Sequence, residues 1–126
     1  MKRVLVVDDD AAVRRIIRHN LVKRGFHVLE ADNGLTALDV VRSTPVDLIL
    51  LDLRMPMMNG YELADRLQAD PATADVPIVV SSVVADEAKQ RIVRAKTFLL
   101  RPFAVQDLVA AVRTALEDGQ PGEAGR

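Results

Sequence analysis

Residues 47–52 read DLILLD, a short apolar run that ends in an acid, and residues 4–10 read VLVVDDD, which has the same form. Neither run alternates polar and apolar residues, which is typical of strands buried on both faces of a parallel sheet. Stretches with a helical spacing of apolar residues separate these runs from other apolar runs. The repeated order of strand then helix predicts an α/β domain with a doubly wound, five-stranded parallel sheet. The predicted strands are 3–7, 26–31, 47–51, 77–82 and 97–100, and the predicted helical stretches are 13–21, 35–42, 61–69, 87–95 and 105–116.

The composition is that of an ordinary globular protein and excludes several classes of function. The chain has 126 residues, of which 49% are hydrophobic, with no cysteine and two histidines. The absence of cysteine excludes a disulfide scaffold, a thiol nucleophile and a cysteine zinc site. A net charge of −1 argues against a domain that mainly coats nucleic acid or an anionic membrane. No apolar run approaches the roughly 18 residues of a membrane span, so we expect a soluble cytoplasmic protein.

The length predicts one domain, which we assign to residues 1–117. Residues 118–126 read DGQPGEAGR and are rich in glycine and polar residues. We expect this tail to be disordered, either as the natural end of a one-domain protein or as the stub of a linker.

Polar side chains follow the predicted strands at the points where the strands end. Residues 8–10 are aspartates, Asp52 follows the third strand, residues 81–82 are serines, and Arg101 follows the fifth strand. Because the carboxyl ends of parallel strands meet at one edge of a sheet, we expect these side chains to converge. Clustered carboxylates repel one another unless a cation offsets them, and their oxygens suit Mg²⁺. The pattern therefore predicts a magnesium site beside an anion such as a phosphoryl group.

Each of these residues alone has a simpler interpretation. Asp9 or Asp10 is suited to cap the first helix, the serines are suited to a turn, and Arg101 is suited to a solvated surface. Their conjunction at one edge of the sheet favours a site. The first helix is also basic, and we interpret its charges as a solvated face, with a docking surface for an acidic partner as the alternative. These basic residues are Arg14, Arg15, Arg18, Lys23 and Arg24.

Four stretches resemble the receiver domain of two-component response regulators. They are VLVVDDD at 4–10, DLILLDLRMPMMNGYEL at 47–63, VPIVVSS at 76–82 and FLLRPF at 98–103. The second stretch is the most specific, because an aspartate after a buried strand is followed by x-x-Met-Pro-x-Met-x-Gly. The resemblance covers residues 2–117 and implies the flavodoxin-like (βα)5 fold of a signalling domain rather than of an enzyme.

The resemblance implies that Asp52 is the phosphoacceptor. Asp52 would attack the phosphorus of a phosphohistidine on a sensor histidine kinase or a phosphotransfer protein. Asp9, with Asp8 partly through water, would hold Mg²⁺ together with Asp52 and the main-chain carbonyl of Arg54. Gly60 would allow the tight backbone that follows the Met-Pro loop.

The resemblance also implies a conformational switch. Ser82 would be the hydroxyl that moves to the phosphoryl group, Phe98 the aromatic side chain that rotates inward, and Arg101-Pro102 the site of a cis peptide. The number of residues from Pro77 favours Ser82 over Ser81 as the switch hydroxyl. If the register were shifted by one residue, Ser81 would be the switch hydroxyl instead.

The sequence departs from the family pattern at several positions. Arg101 stands where the family has lysine, and Val83 stands where a small alanine is usual. Phe98 replaces the commoner tyrosine, and the segment between Ser82 and Arg101 is about three residues short relative to the resembled pattern. Arg54 and Val84, each two residues after a predicted site residue, are expected to prolong the lifetime of the phosphorylated state.

Two other classes of function compete with a phosphorylated receiver. A degenerate receiver that acts as a phosphorylation-independent interaction module would explain Arg101 and the short segment, but not the retained acids Asp8, Asp9 and Asp52. An enzyme on this scaffold, such as an aspartate-nucleophile phosphatase, would want an acid where Arg54 stands. We expect an unknown downstream effector protein as a partner, no direct contact with nucleic acid or membrane, and either a monomer or a homodimer.

Overall fold

The computed structural model describes residues 1–55, 58–82 and 97–118, apart from the side chains of Ser82, Thr97, Leu100 and Asp118. The strands are β1 (Arg3–Val7), β2 (His27–Ala31), β3 (Leu48–Asp52), β4 (Ile78–Ser82) and β5 (Thr97–Leu100). The helices are α1 (Ala11–Val22), α2 (Gly34–Ser43), α3 (Gly60–Ala69) and, after the segment 83–96, α4 (Val105–Asp118). The helical pattern predicted at 87–95 lies outside the described residues. No described helix is long and apolar enough to cross a membrane.

The five strands form one parallel sheet in the order β2-β1-β3-β4-β5. This confirms the doubly wound sheet predicted from the sequence. After β1 the chain adds β2 on one side of it. From β3 onward the chain adds strands on the other side of β1. The topological switch point therefore lies between the carboxyl ends of β1 and β3, where parallel α/β sheets bind their ligands.

The sheet separates two cores of buried apolar side chains. Strand residues alternate between its faces, so neighbours along one strand belong to different cores. In β3, for example, Ile49 and Leu51 pack with α2 and α3, whereas Leu48 and Leu50 pack with α1 and α4. We refer to these as the α2/α3 core and the α1/α4 core. Their burial on both sides explains why the strands lack polar alternation.

Short polar side chains define where the helices begin. Asp10 accepts hydrogen bonds from the backbone of α1, Asn33 from that of α2, and Asn59 from that of α3. Each cap satisfies a backbone N–H that has no partner within its own helix. After α1, Gly25 has a φ of 91°, a left-handed conformation that glycine adopts without a steric penalty. The Asp10 cap confirms the simpler interpretation of that aspartate.

The first residue of α3 lies against the end of β3. The Gly60 N–H donates a hydrogen bond to the Leu53 carbonyl oxygen, at 3.0 Å. A Cβ atom on Gly60 would lie 2.6 Å from the Leu53 Cα and 2.7 Å from the Asp52 carbonyl oxygen. Both of these are backbone atoms, which have little room to shift. The absence of a side chain at Gly60 therefore allows α3 to pack beside Asp52.

We expect Gly60→Ala to destabilise the protein by about 1–3 kcal/mol because the new methyl group overlaps backbone atoms. At an unobstructed helical position the same change stabilises by about 0.5–1 kcal/mol, so the sign of the effect is diagnostic. The free energy of unfolding, measured in urea, tests this prediction. Gly25→Ala is the control, because a Cβ atom there meets nothing within 4 Å and the cost arises from its backbone conformation alone. A Gly60→Ala protein as stable as the wild type would contradict the prediction.

Candidate functional site

Four polar side chains lie near the carboxyl ends of the strands, just past the apolar core residues of the same strands. Asp8, Asp52, Ser81 and Arg101 each lie two residues after a strand residue of the α1/α4 core. Those core residues are Val6, Leu50, Val79 and Leu99. Because side chains of a strand repeat every two residues, Asp52 and Ser81 project on the same face. Arg101 follows β5 and contacts both Ser81 and Asp8. The strand register also pairs Asp52 directly with Ser81.

Three carboxylates meet at the switch point between β1 and β3. Asp8, Asp9 and Asp52 each place one oxygen within 4.8 Å of the others. Asp8 is 2% exposed and Asp52 is 7% exposed, whereas Asp9 is open to solvent. Backbone N–H groups hold the two buried acids, since Asp8 Oδ1 accepts from Asp10 at 2.9 Å and Asp52 Oδ1 accepts from Arg54 at 3.1 Å. The acids predicted to form a site are therefore close together.

Burial raises the pKa of Asp52 from 3.8 to about 6. The hydrogen bond from the Arg54 backbone opposes this shift, and the positive charge of Arg101 also lowers the pKa. The negative charges of Asp8 and Asp9 raise it further. A carboxylate in this setting is poorly solvated and is repelled by its neighbours, so an added cation would favour its ionised form.

Arg101 brings a positive charge to this acidic cluster. Its Nη2 forms an ion pair with Asp8 Oδ2, and its Nε donates a hydrogen bond to the Ser81 hydroxyl oxygen, at 2.8 Å. Ser81 is 1% exposed. The peptide between Arg101 and Pro102 is cis, as expected. The contact with Ser81 was not predicted from the sequence, although the arginine itself was placed at the site.

A second arginine supports the loop that carries Asp8. Arg14 Nη1 donates to the Asp8 carbonyl oxygen at 2.7 Å, and its Nε pairs with Glu30 at 3.1 Å. Arg18 Nη1 pairs with the other oxygen of Glu30 at 2.8 Å. Interpreting the whole basic side of α1 as a solvated face was therefore wrong for Arg14, whose side chain is only 18% exposed. The sequence contains no local signal for this role, because Glu30 is on β2.

The structure describes fewer contacts for the other predicted site residues. Phe98 is partly buried against the α2/α3 core, on the opposite side of the sheet from Leu99. Arg54 is exposed, and its N–H rather than its carbonyl is the group with a described contact. The side chain of Ser82 lies outside the described residues, as do Val83 and Val84. The roles of Ser82, Phe98 and the Arg54 carbonyl stay predictions.

The sequence matches a model of a known protein family. The model described as the response regulator receiver domain matches residues 4–113. The chain belongs to this family. The resemblance inferred from the motifs is thereby confirmed, and the receiver fold accounts for the order of the strands.

Curated receiver-containing proteins resemble this receiver over nearly its whole length. The phosphate regulon transcriptional regulatory protein PhoB of Pseudomonas aeruginosa is 36% identical over 125 residues, which cover 97% of this chain and 55% of that protein. The response regulator MprA of Mycobacterium bovis is 36% identical over 126 residues, covering 97% of this chain and 54% of that protein. The chain thus spans about half the length of the curated relatives it matches.

Solved structures share the receiver fold. The chemotaxis protein CheY4 of Vibrio cholerae superposes with a TM-score of 0.86 at 29% identity, covering 91% of this chain and 98% of that one. The response regulator TrrA of Thermotoga maritima, solved in complex with Mg²⁺ and BeF, superposes with a TM-score of 0.82 at 28% identity, covering 91% of this chain and 99% of that one. The flavodoxin-like fold predicted from the resemblance is confirmed.

The acidic cluster of this receiver fits a magnesium ion by its chemistry. All three side chains offer carboxylate oxygens, which are the hard ligands that Mg²⁺ prefers. The described part of the chain contains no histidine within the cluster, so softer metals are less well suited. The raised pKa of Asp52 has burial as its main cause and neighbouring acids as a further one, and a divalent cation would offset both effects.

The ion pairs of Glu30 predict a pH dependence of stability. The hydrogen bond from Arg18 is the main reason why the pKa of Glu30 lies below its ordinary value of 4.5. The stabilisation is therefore complete above the unfolded-state pKa and is lost as the pH falls through the folded-state pKa. We expect Glu30→Gln to lower the free energy of unfolding by about 1 kcal/mol at pH 7. The difference should shrink progressively below a pH of about 4.5.

Urea unfolding of both proteins across this pH range provides the measurement. Glu117→Gln is the matched control, because Glu117 is exposed and forms no ion pair among the described residues. A Glu30→Gln effect that stays constant from pH 7 into the acidic range would contradict the assignment.

Proposed function

We propose that this receiver accepts a phosphoryl group on Asp52 and thereby carries a signal in a two-component pathway. The observation that carries this proposal is the conjunction of three clustered carboxylates with the guanidinium of Arg101 at the switch point of the sheet. Anionic oxygens and a guanidinium around one carboxylate provide what phosphoryl transfer requires, namely positioning and charge stabilisation. The matched family model supports a signalling module rather than an enzyme.

Asp52 is the nucleophile in this mechanism. One carboxylate oxygen attacks the phosphorus of a phosphohistidine on a sensor histidine kinase or a phosphotransfer protein. A phosphorus–oxygen bond forms, the phosphorus–nitrogen bond breaks, and the histidine nitrogen keeps the electron pair. The Arg54 N–H holds Oδ1 of the acceptor, which fixes the orientation of the carboxylate. The acyl phosphate that results hydrolyses readily, so the signal resets.

Mg²⁺ is the cofactor that this mechanism requires. Asp8, Asp9, Asp52 and the main-chain carbonyl of Arg54 would hold the ion. When bound, it would neutralise charge on the transferring phosphoryl group. Magnesium is present with BeF in the TrrA structure of Thermotoga maritima, which supports the same requirement here. Arg14 contributes indirectly, because its bond to the Asp8 carbonyl steadies the loop that supplies two of the acids.

The switch is proposed to involve Ser82 and Phe98. Because the Ser81 hydroxyl is already engaged by Arg101, we keep Ser82 as the hydroxyl that would move to the phosphoryl group. Phe98 is partly buried on the α2/α3 core and lies one strand away from the serines. Its inward rotation would change the surface that β5 presents to a partner.

The partners and setting of the whole protein belong to the same proposal. Residues 1–117 would form the receiver, and 118–126 would be a disordered tail or linker stub. PhoB is named as a transcriptional regulatory protein, and this receiver matches about half of its length. We propose that it signals to an effector protein in the cytoplasm, as a monomer or a homodimer, without itself binding nucleic acid or membrane.

Incubation with Mg²⁺ and acetyl phosphate is expected to add one phosphoryl group, about 80 Da, to the intact protein. Asp52→Asn removes the nucleophile and should abolish the addition. Intact mass spectrometry measures the result. Asp65→Asn is the matched control, because Asp65 is an exposed aspartate on α3. If the wild type gains no mass and also fails to bind beryllofluoride, the phosphorylation-independent interaction module becomes the better explanation.

Arg54 is expected to lengthen the life of the phosphorylated state. Its bulky exposed side chain stands two residues after the acceptor, where it hinders a water molecule from reaching the phosphorus. Arg54→Asn should therefore lose the phosphoryl group several-fold faster. Decay after removal of the phosphodonor is followed by intact mass, with Arg66→Asn on α3 as the control. Equal decay of the wild type and Arg54→Asn would show that the idea is wrong.

A further inference from the structure

We propose that Ser81 is a positioning residue for Arg101, and that it sets the orientation in which the guanidinium meets the phosphoryl group. The inference rests on the proposed function, since it assumes an anion on Asp52. Ser81 is buried at the end of β4 and pairs with Asp52 in the sheet register. It is therefore fixed to the same part of the backbone as the acceptor.

The contacts of Arg101 use one particular edge of its guanidinium. Nε donates to Ser81 and Nη2 donates to Asp8. These two nitrogens form the side edge of the planar group, and five N–H donors in all are fixed in that plane. Holding the side edge from two points sets the direction of the whole plane. The end edge, formed by Nη1 and the second N–H of Nη2, is then directed away from Ser81.

This arrangement is specific to arginine. In a lysine side chain the atom at the position of Nε is a carbon, which cannot donate a hydrogen bond to Ser81. An ammonium group also has no plane to orient. A serine hydroxyl buried beside Nε is thus matched to the planar side chain that this receiver carries at position 101. The hydrogen bond to Ser81 limits the rotation of the arginine side chain, which is longer than that of lysine.

Ser81 acts on the anion only through Arg101. Asp8 is 2% exposed, and its Oδ2 accepts from Nη2, the other nitrogen of the side edge of Arg101. Without Ser81, Arg101 keeps its pair with Asp8 but is free to rotate about that single contact. The expected loss is therefore in the affinity for a phosphoryl-like anion, and the affinity for Mg²⁺ alone should change little.

Titration with beryllofluoride at saturating Mg²⁺ tests the proposal. Ser81→Ala should bind beryllofluoride about tenfold more weakly than the wild type, as expected for the loss of one hydrogen bond to a charged group. Its affinity for Mg²⁺ alone should stay within about twofold. In the Arg101→Lys background, Ser81→Ala should change the beryllofluoride affinity by less than about twofold, because a pair that acts as a unit is not additive.

Thr73→Val is the matched control. Thr73 has a buried hydroxyl that donates to the Leu67 carbonyl oxygen at 2.7 Å. It precedes β4, whereas the acids lie at the carboxyl ends of β1 and β3. Its loss should lower the melting temperature and leave the beryllofluoride affinity unchanged. This separates the deletion of a buried hydroxyl in general from the deletion of the one beside Arg101.

The outcomes distinguish this role from the proposed function. Equal losses for Ser81→Ala in the Arg101 and Arg101→Lys backgrounds would overturn the positioning role, as would parallel losses of Mg²⁺ and beryllofluoride affinity. Wild type and Ser81→Ala proteins that bind beryllofluoride equally well would overturn the role of Ser81 alone. A wild type that binds no beryllofluoride and gains no phosphoryl mass would overturn the proposed function and this role with it.

Discussion

The acidic edge of the sheet depends on a balance of charge around Asp8. This carboxylate is buried, and its two oxygens accept from the Asp10 backbone and from Arg101. A buried charge whose partner is removed costs about 3–5 kcal/mol, so the pair with Arg101 stabilises the cluster before any ligand arrives. The same pair places the guanidinium near enough to Asp52 for its positive charge to lower the pKa of that carboxyl. One contact therefore serves both the stability of the cluster and the phosphoryl acceptance proposed for Asp52.

Arginine and lysine differ in how they can be held beside the buried charge of Asp8. A lysine ammonium is a compact and strongly hydrated point charge, whereas a guanidinium is planar and can be held at several nitrogens at once. The side edge of Arg101 is held by Ser81 and Asp8, so the cation has less freedom to follow an anion. Under the proposed function, a phosphoryl group would bind to a guanidinium whose orientation is already set. The departure from the family pattern would then change the geometry of the site and keep its positive charge.

The sequence predicted the fold because the fold follows from local patterns. Unbroken apolar runs, helical spacing and capping residues each act over a few residues, and the strand ends at 7 and 100 agree with those of the structure. The acids were predictable for the same reason, since each one ends a recognisable run. The contacts of Ser81 and Arg14 were not predictable. Their partners lie 20 and 16 residues away, and the contacts depend on side-chain directions that no spacing encodes.

Alternation along the strands also constrains how a signal leaves the site. Asp52 and Ser81 each follow a residue of the α1/α4 core by two positions along their strands, and Arg101 contacts Ser81, whereas Phe98 packs on the α2/α3 core. A side chain on one face cannot push directly on a side chain of the other, because the sheet backbone lies between them. The paired backbones of β4 and β5 are the physical link, with Val80 beside Phe98 and Ser81 beside Leu99. In the proposed function, the hydrogen bond from Arg101 to Ser81 would couple a phosphoryl group on Asp52 to the paired strands β4 and β5, in addition to the switch proposed for Ser82 and Phe98.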